Sequence, residues 1–189
     1  MKFVEPIRDR KKIDVMKKLL ASHPRDQLLF IMGINSALRV SDLLELTFRD
    51  VIDEAGECLE HIRLKETKTG KYNKIAIPKG VKKAIRQYST LVYKGDLSHY
   101  LFQSRKGDNQ PINRKTAWAI IQQAAKDAGI RDNIGAHSLR KTWAYHSYKA
   151  GTDILIIQDM LNHSSAAITL RYIGITQDEK DRAILSLDL

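Results

Sequence analysis

His137-Ser138-Leu139-Arg140 opens a stretch that continues through Leu161-Asn162-His163-Ser164-Ser165 and closes on Arg171-Tyr172. The second histidine lies 23 residues beyond Arg140, and Tyr172 lies nine beyond that histidine. Between these anchors the residues read as helices: 138–150 stopping at Gly151, then 153–161, then a short turn of helix at 165–170. Taken singly, each anchor has an ordinary role. His137 suits a helix cap or a core position, and His163-Ser164-Ser165 suits a helix-ending turn followed by an N-cap. Tyr172 is one of seven tyrosines, and most tyrosines pack with a tethered hydroxyl. Tyr145 and His146 are assigned to packing in the helix behind Arg140.

Upstream, Ile13, Met16, Leu19 and Leu20 share one face of an amphipathic helix over 10–22. Residues 25–37 are apolar almost all round and predict a buried helix. Ser41-Asp42 then starts a short helix just beyond Arg39. At Val51 the pattern changes. His61–Lys65 alternates like a strand, Thr69-Gly70-Lys71 is a hairpin-type turn, and Lys74–Ile77 returns to a stop at Pro78. His99–Phe102 is expected to add a third strand. Helices follow at 79–93 and 113–128, with a tail helix near 178–186. The expected fold is mainly α with a small antiparallel three-stranded β-sheet. Residues 1–189 read as one unit, without repeats or a long linker.

The chain has 189 residues, 32 Lys+Arg against 22 Asp+Glu, and a net charge of +10. No run of about 18 apolar residues exists to span a membrane, and Met1–Pro6 has no apolar region of a secretory signal. The single cysteine, Cys58, leaves no internal disulfide and no multi-Cys metal site. The expected location is the cytoplasm. Residues 61–95 carry +9, with Glu66 their one acid, and residues 103–172 carry +5. With one acid among them, the cations of 61–95 are expected to require an external anion. A basic excess of this kind favours nucleic acid as partner.

At the quoted residues the chain resembles the catalytic domain of the tyrosine recombinases, the phage-integrase family. His137 and Arg140 match its His-x-x-Arg pair, and His163 and Tyr172 stand at its usual spacing. Ala37-Leu38-Arg39-Val40-Ser41-Asp42-Leu43-Leu44-Glu45-Leu46 matches the segment carrying its first catalytic arginine. Thr67-Lys68-Thr69-Gly70-Lys71 matches the hairpin turn carrying its lysine. The resemblance covers about residues 10–175, and order and spacing together make it specific. It implies the DNA breaking-rejoining fold and a site-specific recombinase that works through a covalent 3′-phosphotyrosyl intermediate, with no cofactor and no metal.

The chemistry accounts for these residue types. Two permanently charged guanidiniums, Arg39 and Arg140, can grip phosphate oxygens bidentately and offset the charge that builds on them. A phenol with an ordinary pKa of about 10 needs cationic neighbours and a proton acceptor to attack at neutral pH. Tyr172 is therefore the expected nucleophile and His137 the base or proton-steering group. Lys68 is the expected acid for the leaving 5′-oxygen, with Lys65 and Lys71 as near rivals. His163 would donate to the phosphate, and Asp42 would orient the site. Arg39 has a plainer reading as the ion-pair partner of Asp42 or Glu45. Lys65, Lys71, Lys74, Arg105, Lys106, Arg114 and Lys115 are expected to follow the backbone of double-stranded DNA.

Two departures from the family pattern stand out. Asn162 occupies a position that is often glycine, and asparagine tolerates the left-handed backbone such a turn requires. Arg39 comes too early to leave room for the helical core-binding domain that many members carry. The chain reads either as an excised catalytic domain or, as Met1 favours, as a naturally short member. The tail over 174–189 is expected to pack on its own domain or on a neighbouring subunit, and the family implies a tetramer on paired sites. Rival functions are a type IB topoisomerase-like relaxing enzyme and a vestigial DNA-binding accessory protein.

Overall fold

A computed structural model describes residues 4–67, 70–175, 181 and 184–187. The chain begins with α1 (Arg10–Leu19), whose N-cap Asp9 accepts the Lys11 N–H, and Ile13 and Met16 face inward. The central element is α2 (Pro24–Asn35), with Leu28, Leu29, Phe30, Met32 and Ile34 buried on nearly every side. That all-round burial matches its apolar sequence, because neighbouring helices cover both flanks. α3 (Val40–Leu44) follows an extended break at Arg39.

Strands β1 (His61–Lys65) and β2 (Tyr72–Ala76) pair antiparallel, with Ile62 opposite Ile75 and Arg63 opposite Lys74. The two-residue period sends Ile62 and Ile75 into the core and leaves Arg63, Lys65, Tyr72 and Lys74 exposed. Among the described residues five helices follow: α4 (Lys79–Val92), α5 (Arg114–Asp127), α6 (Ala136–Lys149), α7 (Ile154–Leu161) and α8 (Ala166–Ile173). α2 packs on α4 and on α6. At the α2–α6 crossing the position of Gly33 allows no side chain, since a Cβ there would lie 2.5 Å from Leu139 Cδ1.

Three apolar clusters result. One joins α2, α3, the hairpin and α4, a second joins α1, α5 and the far side of α2, and a third joins α6, α7 and α8.

The expected third strand does not form. Among the described residues the sheet has two strands, and Tyr100 makes only an isolated bridge to Thr47. The reason is burial on both sides: Leu101 and Phe102 are consecutive and both fully buried, which a half-exposed strand does not permit. The Tyr100 N–H is taken by Asn109 Oδ1 at 2.9 Å instead. Most of the expected tail helix lies outside the described residues, and Ile184, Leu185 and Leu187 are exposed. Among the described residues no helix is long and apolar enough to cross a membrane.

Candidate active site

Arg39 is the residue at which the chain turns from α2 into α3, and its backbone is extended at φ −69°, ψ 148°. Its side chain pairs with neither Asp42 nor Glu45. Arg39 Nη1 donates instead to Glu66 Oε2 at 2.5 Å, at the end of β1. Glu66 is 1% exposed and Arg39 17%, so a buried carboxylate braces the guanidinium from behind while the arginine lines a cleft. Asp42 is buried and serves the same hairpin by accepting the Thr67 N–H at 3.1 Å.

α6 supplies two further groups on its first turns. Gly135 precedes the helix, and its N–H donates to Ser138 Oγ at 3.1 Å. His137 is exposed at the cleft, and Arg140, three residues on, lies on the same face but buried. Arg140 Nη2 donates to Met160 O at 3.3 Å, whereas its Nε is buried with no hydrogen-bond partner. A buried charged group with unmet donor capacity is costly to keep.

The turn between α7 and α8 sets the remaining pair. Asn162 adopts φ 53°, ψ 45°, its N–H donates to Asp159 O, and the His163 N–H donates to Gln158 O at 3.0 Å. This is a Schellman end, and it delivers His163 directly into the cleft wall. Asparagine thus meets the left-handed requirement that glycine often meets. Ser165 then caps α8 through the Ile168 N–H. His163 Nδ1 lies 3.1 Å from Thr169 Oγ1, whose hydroxyl donates to Ser165 O at 3.3 Å. With the Thr169 hydroxyl proton on Ser165 O, Nδ1–H would be the donor of this pair and Nε2 the unprotonated nitrogen of the neutral ring. The His163 and Tyr172 rings meet edge to face, centroids 5.0 Å apart. Lys141 Nζ sits 5.2 Å from the Tyr172 centroid while donating to Val4 O.

Arg39, His137, Arg140, His163 and Tyr172 all line one open cleft of about 1080 Å³. Burial, followed by the positive field of Arg140 and other cations, holds both His137 and His163 below the ordinary 6.5. The neutral form of both rings is thereby favoured at pH 7. Burial also raises the Tyr172 phenol above 10, against the opposing pull of Arg140 and Arg39. Among the described residues no group of three His, Cys, Asp or Glu could hold a metal ion.

A model of the phage integrase family matches residues 11–179, nearly the whole chain. The chain belongs to the phage integrase family. It is 43% identical over 179 residues to the probable integrase/recombinase YoeC of Bacillus subtilis, covering 94% of this chain and 93% of that one. It is 33% identical to the tyrosine recombinase XerA of Pyrococcus furiosus, covering 89% of this chain but 58% of that protein. The XerA recombinase crystal structure superposes with a TM-score of 0.78 at 22% identity, over 100% of this chain and 67% of that one. The fold is thus that of tyrosine recombinase catalytic domains.

Of the residues anticipated for an integrase-family site, five line the cleft, and Asp42, on α3, is buried and bonded to the hairpin at Thr67. Lys68 falls outside the described residues. Among the expected backbone contacts, Lys65 and Lys74 share the exposed hairpin face, Lys65 5.8 Å from the Tyr72 ring centre. Arg114 lines the cleft, with Lys115 beside it at the start of α5. Arg105 and Lys106 lie exposed in the loop before α5. Lys71 donates to Asn162 Oδ1 at 2.8 Å.

The expectation that the cations of 61–95 need an external anion is corrected in part. Lys82 pairs with Glu60, and Arg86 with Glu57 at 3.1 Å. Both acids lie just before the basic stretch, so counting within the stretch missed them. Sequence reasoning also missed Glu66 and the side chain of Asn162. The available signal for Glu66 was its isolation, as the one acid among ten basic residues beside Thr67-Lys68.

Proposed function

We propose that this chain is a site-specific DNA recombinase that cuts and rejoins strands through Tyr172. The observation that carries this is the convergence of two arginines, two histidines and Tyr172 from separate segments on one cleft. Arg39 and Arg140 hold the nonbridging oxygens of the scissile phosphate, the unmet Arg140 Nε among the donors, and stabilise the charge that develops there. Tyr172 Oη attacks phosphorus and passes its proton to His137, neutral and therefore able to accept. The bond from phosphorus to the 5′-oxygen breaks, and Lys68 protonates that oxygen. A 3′-phosphotyrosyl bond remains. Another 5′-hydroxyl attacks it in reverse, returning the proton to Lys68, so no ATP is needed. His163 Nε2 donates to the phosphate only as imidazolium, a state that an anionic phosphate beside it favours.

Lys65, Lys74, Arg105, Lys106, Arg114 and Lys115 hold the duplex backbone, giving binding that weakens steeply with salt. The names of the similar proteins support recombination over simple relaxation. In this reading residues 1–189 form one catalytic unit acting on chromosomal or mobile DNA in the cytoplasm. The exposed apolar tail residues Ile184, Leu185 and Leu187 dock on a neighbouring subunit of a tetramer on two sites.

The test uses a pool of nicked duplexes with a randomised centre, in which release of a short 5′ fragment traps the adduct. Wild type is expected to yield protein–DNA adducts that survive denaturation, whose sequencing reveals the site, and Tyr172→Phe none. Adducts formed equally by Tyr172→Phe would refute the assignment.

A further inference from the structure

Asn162 does more than supply a left-handed residue. Its side-chain amide faces two groups on the hairpin: Oδ1 accepts from Lys71 Nζ at 2.8 Å, and Nδ2 donates to Glu66 Oε2 at 3.1 Å. The same Glu66 oxygen receives Arg39 Nη1, and Glu66 Oε1 faces Asn73 Nδ2 at 3.4 Å. One amide therefore bridges the two arms of the hairpin turn, at Glu66 and Lys71. It sits on the residue before His163, and through Glu66 it reaches the arginine of the α2–α3 junction. A glycine would satisfy the backbone angle at 162 equally well and would make none of these contacts.

We infer that Asn162 is a positioning residue that latches the β1–β2 hairpin onto the α7–α8 turn, so that Arg39 and the hairpin turn are held in register with His163. The inference rests on the proposed cleavage reaction. An amide suits the task because it offers an acceptor to the ammonium and a donor to the carboxylate at once. An ionised carboxylate of the same reach accepts only and cannot meet both needs. Lys71, an expected backbone contact from sequence, thereby has an intramolecular role as well. The latch joins segments 91 and 96 residues apart, so it does not depend on the local stability of either turn.

Asn162→Gly is the clean perturbation, since it keeps the turn and removes the amide. Single-turnover cleavage is measured at saturating DNA on a nicked duplex carrying the site recovered from the randomised pool. Asn162→Gly should cleave about 10- to 100-fold more slowly, the range expected when a reacting group is misplaced by about 1 Å. Its DNA affinity should stay near the wild-type value, while its thermal midpoint should fall by a few degrees, since two hydrogen bonds to charged groups are lost. Asn162→Asp keeps the acceptor for Lys71 but sets a carboxylate against Glu66, with Arg39, Lys71 and His163 the other charged or titratable groups around it. Its rate relative to Asn162→Gly should rise between pH 8 and pH 6, as protonation of one carboxyl restores a donor. A purely structural role would leave that ratio flat. Wild-type cleavage by Asn162→Gly, or a flat ratio, overturns the latch while the Tyr172 reading stands. Failure of wild type to form a Tyr172-dependent adduct defeats both.

Discussion

Replacing Glu66 with glutamine should weaken the fold and strengthen DNA binding at the same time. Glu66 is almost fully buried, and its two oxygens face Arg39, Asn162 and Asn73. Glutamine removes the charge and turns one acceptor into a donor aimed at another donor. Breaking a fully buried pair costs about 3–5 kcal/mol. Arg39 retains 17% exposure and opens on the cleft, where water can reach it. A loss of about 1–3 kcal/mol is therefore expected, in line with leaving a charged hydrogen bond unmet. For a chain of 189 residues this lowers the thermal midpoint by about 2–4 °C per kcal/mol.

The opposite effect falls on affinity. The guanidinium between them would hold the Glu66 carboxylate and a bound phosphate roughly 7 Å apart, where their repulsion is about 0.6–2.4 kcal/mol for an effective dielectric between 80 and 20. Removing it should tighten DNA about 3- to 60-fold at low salt, with the gain shrinking as salt rises. Differential scanning fluorimetry and fluorescence anisotropy on a labelled duplex read the two effects. A variant that is destabilised but binds DNA more weakly would refute the placement of Glu66 behind the phosphate site. An unchanged midpoint would refute the buried ion pair.

Two other outcomes follow from packing and burial. Gly33→Ala gains helix propensity of about 1 kcal/mol, yet its Cβ meets Leu139 Cδ1, Cβ and Cγ at 2.5, 3.0 and 3.2 Å. The overlap should dominate, giving a net loss of about 1–3 kcal/mol by chemical denaturation and slower cleavage as neighbouring Arg140 shifts; an increase in stability would show that α6 yields freely. His137, His146 and His163 are all held below 6.5, each chiefly by burial. The unfolded chain then binds protons first as pH falls, so stability is full above 6.5 and declines below it toward the folded values. The midpoint measured from pH 7.5 to 5 should fall accordingly, and His146→Gln, outside the cleft, should shallow the slope; an unaltered slope would exclude His146 as a contributor.

Much of the molecule was legible locally. Helical periodicity placed α1, α2 and α4 to α8 within a few residues, because a helix buries its face by spacing alone. The order and spacing of Arg39, His137, Arg140, His163 and Tyr172 pointed to phosphodiester chemistry through their resemblance to the tyrosine recombinases, and the charge, nucleophilicity and proton affinity of those residue types suit it. The Asn162 turn was readable too, since left-handed backbone angles are a property of the residue. The third strand failed because the short run at 99–102 says nothing about what covers each face. Both Leu101 and Phe102 found cover.

What the sequence determined by itself was the inventory of candidate reacting groups and most of the helices around them. Only the tertiary structure decided how those groups are braced. Glu66 reads in one dimension as a lone acid in a basic run, and Arg39 as a partner for Asp42 or Glu45. In the folded chain Glu66 holds Arg39, and Asn162 holds Glu66, across separations of 27 and 96 residues. Hydrogen bonds of that kind depend on distance and direction in space, and no local pattern encodes them. They form only once the packed apolar clusters bring these polar side chains within reach of one another.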